Sequence, residues 1–198
     1  MDNIENGLNN LFSKEDNPQK LTNFILNFIE YVKFESNEFI SVMDFKYEII
    51  IDLEEGVKDE VPVPDEIKRL AEKAYTLVSI HNHFSGILPT IEDIIIGYRF
   101  NIKYNLNNND KGITSLEKIN PRRPFTKNTG DSIVIANRYA EMSIMTDFFE
   151  KYPQARNMQY PKKLFIKYYN NNINTMIDIY KIHYNPLGIK INFVPYKK

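Results

Sequence analysis

From Asn17 onward the apolar positions recur with the period of a helix. Leu21, Phe24, Ile25, Phe28, Ile29 and Val32 fall at three- and four-residue steps, which lays one apolar stripe along a helix over about 18–34. Pro18 directly after Asn17 marks its start, because proline at the first helical position gives up an N–H that has no partner there anyway. The pattern then shortens. Glu38 to Asp44 and Tyr47 to Leu53 read as two strands split by a tight turn at Phe45 and Lys46. Val61-Pro62-Val63-Pro64 interrupts the chain, and Ile67, Leu70, Ala71 and Ala74 mark a second helix.

A strand is expected over 76–82, a loop over 83–89 and a helix from Thr90 to about Tyr104. The polar, Asn-rich stretch from Asn105 to Lys111 reads as a loop, and 112–130 as irregular chain with room for one strand. Asp131 to Tyr152 reads as a helix stopped by Pro153, Pro161 to Tyr184 as another, and Ile189 to Val194 as a last short strand. No internal repeat is visible. The order α-β-β-α-β-α, then a mostly helical C-terminal third, predicts an α+β fold or a three-layer α/β sandwich. It divides into an N-terminal helical segment (1–35), a core (36–150) and a C-terminal helical extension with a short strand packed on that core (151–198).

Length and composition narrow the function classes. The 198 residues suit a single domain with decorations, and 42% apolar with 26% charged residues is ordinary for a globular chain. A net charge of −1 leaves no electrostatic footprint for nucleic acid or an anionic membrane. With no cysteine there is no disulfide, no thiolate metal ligand and no cysteine nucleophile. The first residues, Met1-Asp2-Asn3-Ile4-Glu5-Asn6, lack the basic and apolar regions of a secretory signal, and no apolar run approaches the ~18 residues of a membrane span, so a cytoplasmic protein is expected.

The chemistry concentrates between His81 and Asp93. Two of the three histidines, His81 and His83, stand one residue apart at the end of the apolar strand, where residues i and i+2 share a face. A carboxylate, Asp93, follows at the start of the next helix. Two imidazole nitrogens and one carboxylate oxygen form the ligand set of a catalytic zinc with an open fourth position. Each part also has a plain structural reading. Thr90-Ile91-Glu92-Asp93 is an ordinary helix start, with Thr90 as N-cap and a carboxylate in the first turn. A His-x-His pair by itself is weak evidence for a metal. His183 reads as a partly exposed aromatic near a helix end, the Phe28, Phe148, Phe149 and Tyr168 rings as core, and Arg122-Arg123 as a solvated loop. It is the conjunction of strand-end His-x-His, the loop with Ser85, Gly86 and Pro89, and the Thr-x-x-Asp helix start that points to a metal.

That conjunction resembles a known signature. His81-Asn82-His83 with Ser85-Gly86, then Pro89-Thr90-x-x-Asp93-Ile94, is similar to the zinc motif of the JAMM metallopeptidase family (MPN/JAB domains), in the manner of its RadC-like and phage-type branches. The motif covers about thirteen residues, and the flanking order of elements extends the likeness over roughly 38–105. The resemblance implies a cytidine-deaminase-like α/β/α core with a mixed sheet and extra N- and C-terminal helices. It implies Zn2+ held by His81, His83 and Asp93, with Thr90 in the place of the family's serine as donor to the developing oxyanion. It also implies a glutamate general base about forty residues upstream. Glu38 resembles that residue best, Glu48 is second, and Glu54 or Glu55 third. The implied activity is that of a zinc metallopeptidase or isopeptidase acting on a protein or peptide, including a conjugated protein. Phe84 departs from the family's proline after the second histidine, and Thr90 from its serine, which bears on substrate scope and rate more than on the ligands.

Two other classes stand beside this one: a RadC-like, DNA-associated protein of a repair or mobile-element system, and a catalytically silent scaffold of the same fold. The neutral charge argues against direct duplex binding. Zinc deaminase chemistry is excluded, because it needs His-x-Glu and paired cysteines. His-Asn-His nucleases spread their three residues over a ββα unit, and His-x-His barrels need more ligands and a longer chain.

Overall fold

The computed structural model describes residues 2–57, 62–72, 76–83, 88, 90–120 and 124–196. Two helices, Asp2–Leu11 (α1) and Pro18–Val32 (α2), precede two strands, Phe39–Asp44 (β1) and Ile49–Glu55 (β2). Then come Asp65–Glu72 (α3), Leu77–Asn82 (β3), Ile91–Arg99 (α4), Ile102–Asn109 (β4) and Gly112–Lys118 (β5). Lys127–Lys151 (α5), Lys162–Asn171 (α6), Ile173–Tyr184 (α7) and Ile189–Pro195 (β6) complete the chain. The six strands form one mixed sheet in the order β2-β1-β3-β4-β5-β6. Only β3 and β4 run parallel, joined through α4; the other neighbours are antiparallel.

Period-two alternation sends the strands' side chains to two cores. Phe39, Met43, Val78, Ile80, Leu106 and Val194 face α1 and α2. Ile40, Val42 and Leu77 meet Ile67 and Leu70 of α3, while Leu116, Ile189 and Ile191 pack under α4, α5 and α7. Helices therefore cover both faces of a mixed sheet, an arrangement compatible with the α+β expectation. The α5–α7 side is dominated by rings: Phe148 is fully buried and touches Phe149, Tyr152, Phe165 and Tyr168. His183 stacks on Tyr139 at 6.2 Å and lies 3.2 Å from the Ser143 hydroxyl, a structural placement near the end of α7. No described helix is long and apolar enough to cross a membrane.

Several local expectations change. The helix that opens at Thr90 stops at Arg99, with the Phe100 N–H on the Ile96 carbonyl and Asn101 at φ 54 turning the chain back. Asn105 to Lys111 is then mostly strand β4, not a loop, and β5 follows it. The Asn side chains misled the local reading because turn residues and strand residues differ only on average. Here β4 lies between two hydrogen-bonded neighbours; Asn105 and Asn108 find side-chain partners elsewhere in the fold, Asn109 caps the turn that follows, and the buried Asn107 carboxamide has none. Residues 161–184 are two helices broken at Asn172, α5 begins at Lys127 rather than Asp131, and the turn after β1 is built by Asp44, whose Oδ1 accepts from the N–H groups of Lys46 and Glu48. Phe84 to Ile87, Pro89 and Pro121 to Arg123 lie outside the described residues.

Candidate metal centre

The central strand β3 delivers the histidines. His81 sits in register with Ile40 of β1 and Asn107 of β4. The His83 N–H continues the ladder past the strand's end by donating to Asn108 O at 2.7 Å. Both imidazoles therefore share the face covered by α4. Asn82, between them, works on the other side: its Oδ1 accepts from the Phe39 N–H at 2.6 Å and its Nδ2 donates to Asn37 O at 3.0 Å. That clasp brackets Glu38 and seats the start of β1 beside the histidines. Sequence reading missed it, although an Asn alternating out of phase with two histidines was its visible trace.

The third donor comes from α4, which begins with a reciprocal cap. Thr90 Oγ1 accepts from the Asp93 N–H at 3.2 Å, and the Asp93 Oδ2 accepts from the Thr90 N–H at 2.8 Å. The structural reading of Thr-x-x-Asp is thus correct, and it coexists with the other one. Asp93 keeps Oδ1 at 3.2 Å from His81 Nε2, while Oδ2 lies 3.9 Å from His83 Nε2. Asn105 anchors the turn from beneath: its Nδ2 donates to Asp93 O at 2.9 Å and its Oδ1 accepts from the Ser79 hydroxyl at 2.8 Å.

His81, His83 and Asp93 each offer a ligand atom, all within 4.8 Å of one another, and the group can hold a metal ion. Two details fit a cation better than a plain ion pair. His81 Nε2 is buried and has no hydrogen-bond partner; its 3.2 Å approach to Asp93 sets the ring nitrogen beside the carboxylate without a hydrogen bond's geometry. Ligands of a tetrahedral ion at ~2.0–2.1 Å stand about 3.3 Å apart, aimed at a common centre rather than at each other. The 3.2 Å separation matches that spacing, and the wider ones need only a small side-chain closure.

The electrostatics favour charge here. Burial alone would raise the Asp93 carboxyl, but His81, His83 and the Thr90 N–H outweigh it and hold it down at about 2. Burial likewise works to lower His81; Asp93 first and Glu38 after it overcome this and raise it. Glu38 is therefore felt at the site, and it is 4% exposed. Its backbone bridges to β2 through Glu38 N to Val57 O and Gly56 N to Glu38 O. Glu48 is not brought near: it is exposed and bonded to Asp44 at the opposite end of β1 from Ile40, the partner of His81. Glu54 pairs across from Ile40 on the neighbouring strand, and exposed Glu55 accepts from Asn37 Nδ2 at 2.6 Å.

Compared with protein-family models, curated proteins and solved structures, the chain matches none.

Proposed function

We propose that the chain is a zinc-dependent hydrolase of peptide or isopeptide bonds, with an MPN/JAB-type core. The observation that carries the reading is the convergence of His81, His83 and Asp93 with a buried, unpartnered His81 Nε2 and with Glu38 buried beside them. The resemblance of the motif supplies the reaction class. When bound, zinc would acidify a water and polarise the scissile carbonyl.

The chain's own groups have separate tasks. His81, His83 and Asp93 would hold the ion, the imidazoles fixed by β3 and the carboxylate by the α4 cap. Glu38 takes a proton from water at its carboxylate and returns it to the departing amine nitrogen. Thr90 Oγ1 already accepts from Asp93, and a hydroxyl that accepts still has its proton to donate, so it can stabilise the developing oxyanion. Exclusion of bulk water by the surrounding burial strengthens each of these contacts.

The test measures metal content and amide cleavage together. The wild type should bind about one zinc per chain, and His81→Ala should lose it. Glu38→Gln should keep the zinc while turnover falls on the order of 10²–10⁴-fold. A wild-type protein without stoichiometric zinc sinks the proposal, and so does an undiminished Glu38→Gln.

A further inference from the structure

The long helix α5 is apolar on both sides. Its inner side, Ile133, Ala136, Ala140, Ile144 and Phe148, is buried in the core it shares with α4 and α7. Its outer side carries Val134, Ile135, Tyr139, Met142 and Met145, each between 36% and 59% exposed. Their spacing keeps them on one face along the helix. Ile182 of α7, 69% exposed, widens the stripe, since its neighbour His183 stacks on Tyr139. Single exposed apolar side chains are ordinary on a protein surface, but a contiguous patch of them marks a contact. A helix apolar all round is one that is covered on both sides.

The charges within the stripe point to what covers it. Arg138 and Glu141 are both exposed on this side. Arg138 forms no ion pair among the described residues, and Glu141 accepts from Asn137 Nδ2 at 2.8 Å. A partner surface of a single sign would set a like charge against one of the two. A parallel copy of α5 would set each against itself. An antiparallel copy, related by a two-fold axis between Tyr139 and Ala140, places Arg138 opposite the partner's Glu141 and, by the same symmetry, Glu141 opposite the partner's Arg138. That axis also sets Val134 opposite the partner's Met145, so apolar positions meet apolar ones. The stripe has no basic rim, which separates it from helices that lie on anionic membranes.

We infer that the outer face of α5 pairs antiparallel with the α5 of a second copy, making the chain a two-fold homodimer. The inference is independent of the metal. The 25 residues of α5 span roughly 37 Å. A contact one helix wide sits at the small end of specific interfaces, so the affinity should be about micromolar. Sedimentation velocity on the full chain, from about 2 to 200 μM, should show monomer giving way to dimer. Arg138→Glu and Glu141→Arg should each weaken the dimer at least about tenfold, because like charges then face each other across the axis. The double variant R138E/E141R restores the opposition and should return to within about threefold of the wild type. Met142→Asp should leave monomer alone. All three positions are exposed, so the variants should fold, as circular dichroism will verify. A wild type that stays monomeric throughout overturns the inference. So does a dimer undiminished by Arg138→Glu or Met142→Asp, or a double variant no tighter than either single one.

Discussion

At the scale of single residues, Asp93 serves two structures with two oxygens. Oδ2 closes the α4 cap on Thr90, and Oδ1 faces His81. The two roles separate by substitution. Asp93→Asn keeps an acceptor for the Thr90 N–H but loses the charge that His81 and His83 stabilise, so zinc affinity should fall at least tenfold and stability at neutral pH should fall with it while the cap is retained. Asp93→Ala should lose zinc and also weaken the helix start. Thr90→Ala should cost about 0.5–2 kcal/mol for the lost N-cap, whereas Thr90→Ser should restore most of it. Zinc titration and urea denaturation on the set measure both quantities. Equal stability of Thr90→Ala and wild type would contradict the cap assignment.

At the scale of elements, glycines show where neighbours approach. Gly112 opens β5 at φ +157, and a Cβ there would meet Val194 O at 2.3 Å and Pro195 Cα at 2.8 Å. Backbone atoms of β6 cannot yield without breaking the ladder, so Gly112→Ala should destabilise by more than about 1 kcal/mol. Gly97 in α4 is the contrast, since its added Cβ would meet only Asn105 Cβ, at 3.9 Å. Gly97→Ala should stabilise by roughly 0.5–1 kcal/mol, the usual gain in a helix interior. Denaturation midpoints moving in the same direction for both variants would refute this packing.

For the whole molecule, the tyrosines report how closed the two cores are. Burial first, aided by the carboxylates of Glu15 and Asp147, raises Tyr104 and Tyr168; burial likewise raises Tyr184 and Tyr196, and pushes Tyr180 up to about 12. A raised folded value means the neutral phenol is favoured by folding. This stabilisation is complete below the unfolded value of about 10 and is lost as pH climbs through the folded values. Of thirteen tyrosines, these five, four buried and Tyr196 partly so, should ionise only as the fold opens. Absorbance titration of tyrosinate alongside circular dichroism checks this. A single step for all of them with the fold intact would be incompatible with these cores.

What the sequence determined by itself was local. The stripe of α2, the alternation of β1 and β3, the shared face of His81 and His83 and the Thr90 cap all follow from side-chain direction within one element, which repeats at 3.6 or 2 residues. Tertiary structure decided the rest. Asn105 belongs in a strand because Ser79, 26 residues away, and the Asp93 carbonyl complete its carboxamide. Glu38 rather than Glu48 is felt by His81 because β1 pairs with β3 in the register Ile40 to His81, with the Asn82 clasp beside it. The 3.2 Å spacing of His81 and Asp93 likewise depends on α4 crossing from β3 to β4. Periodicity encodes which way a side chain points within its element; what it meets there is settled when distant strands pair and bury it together.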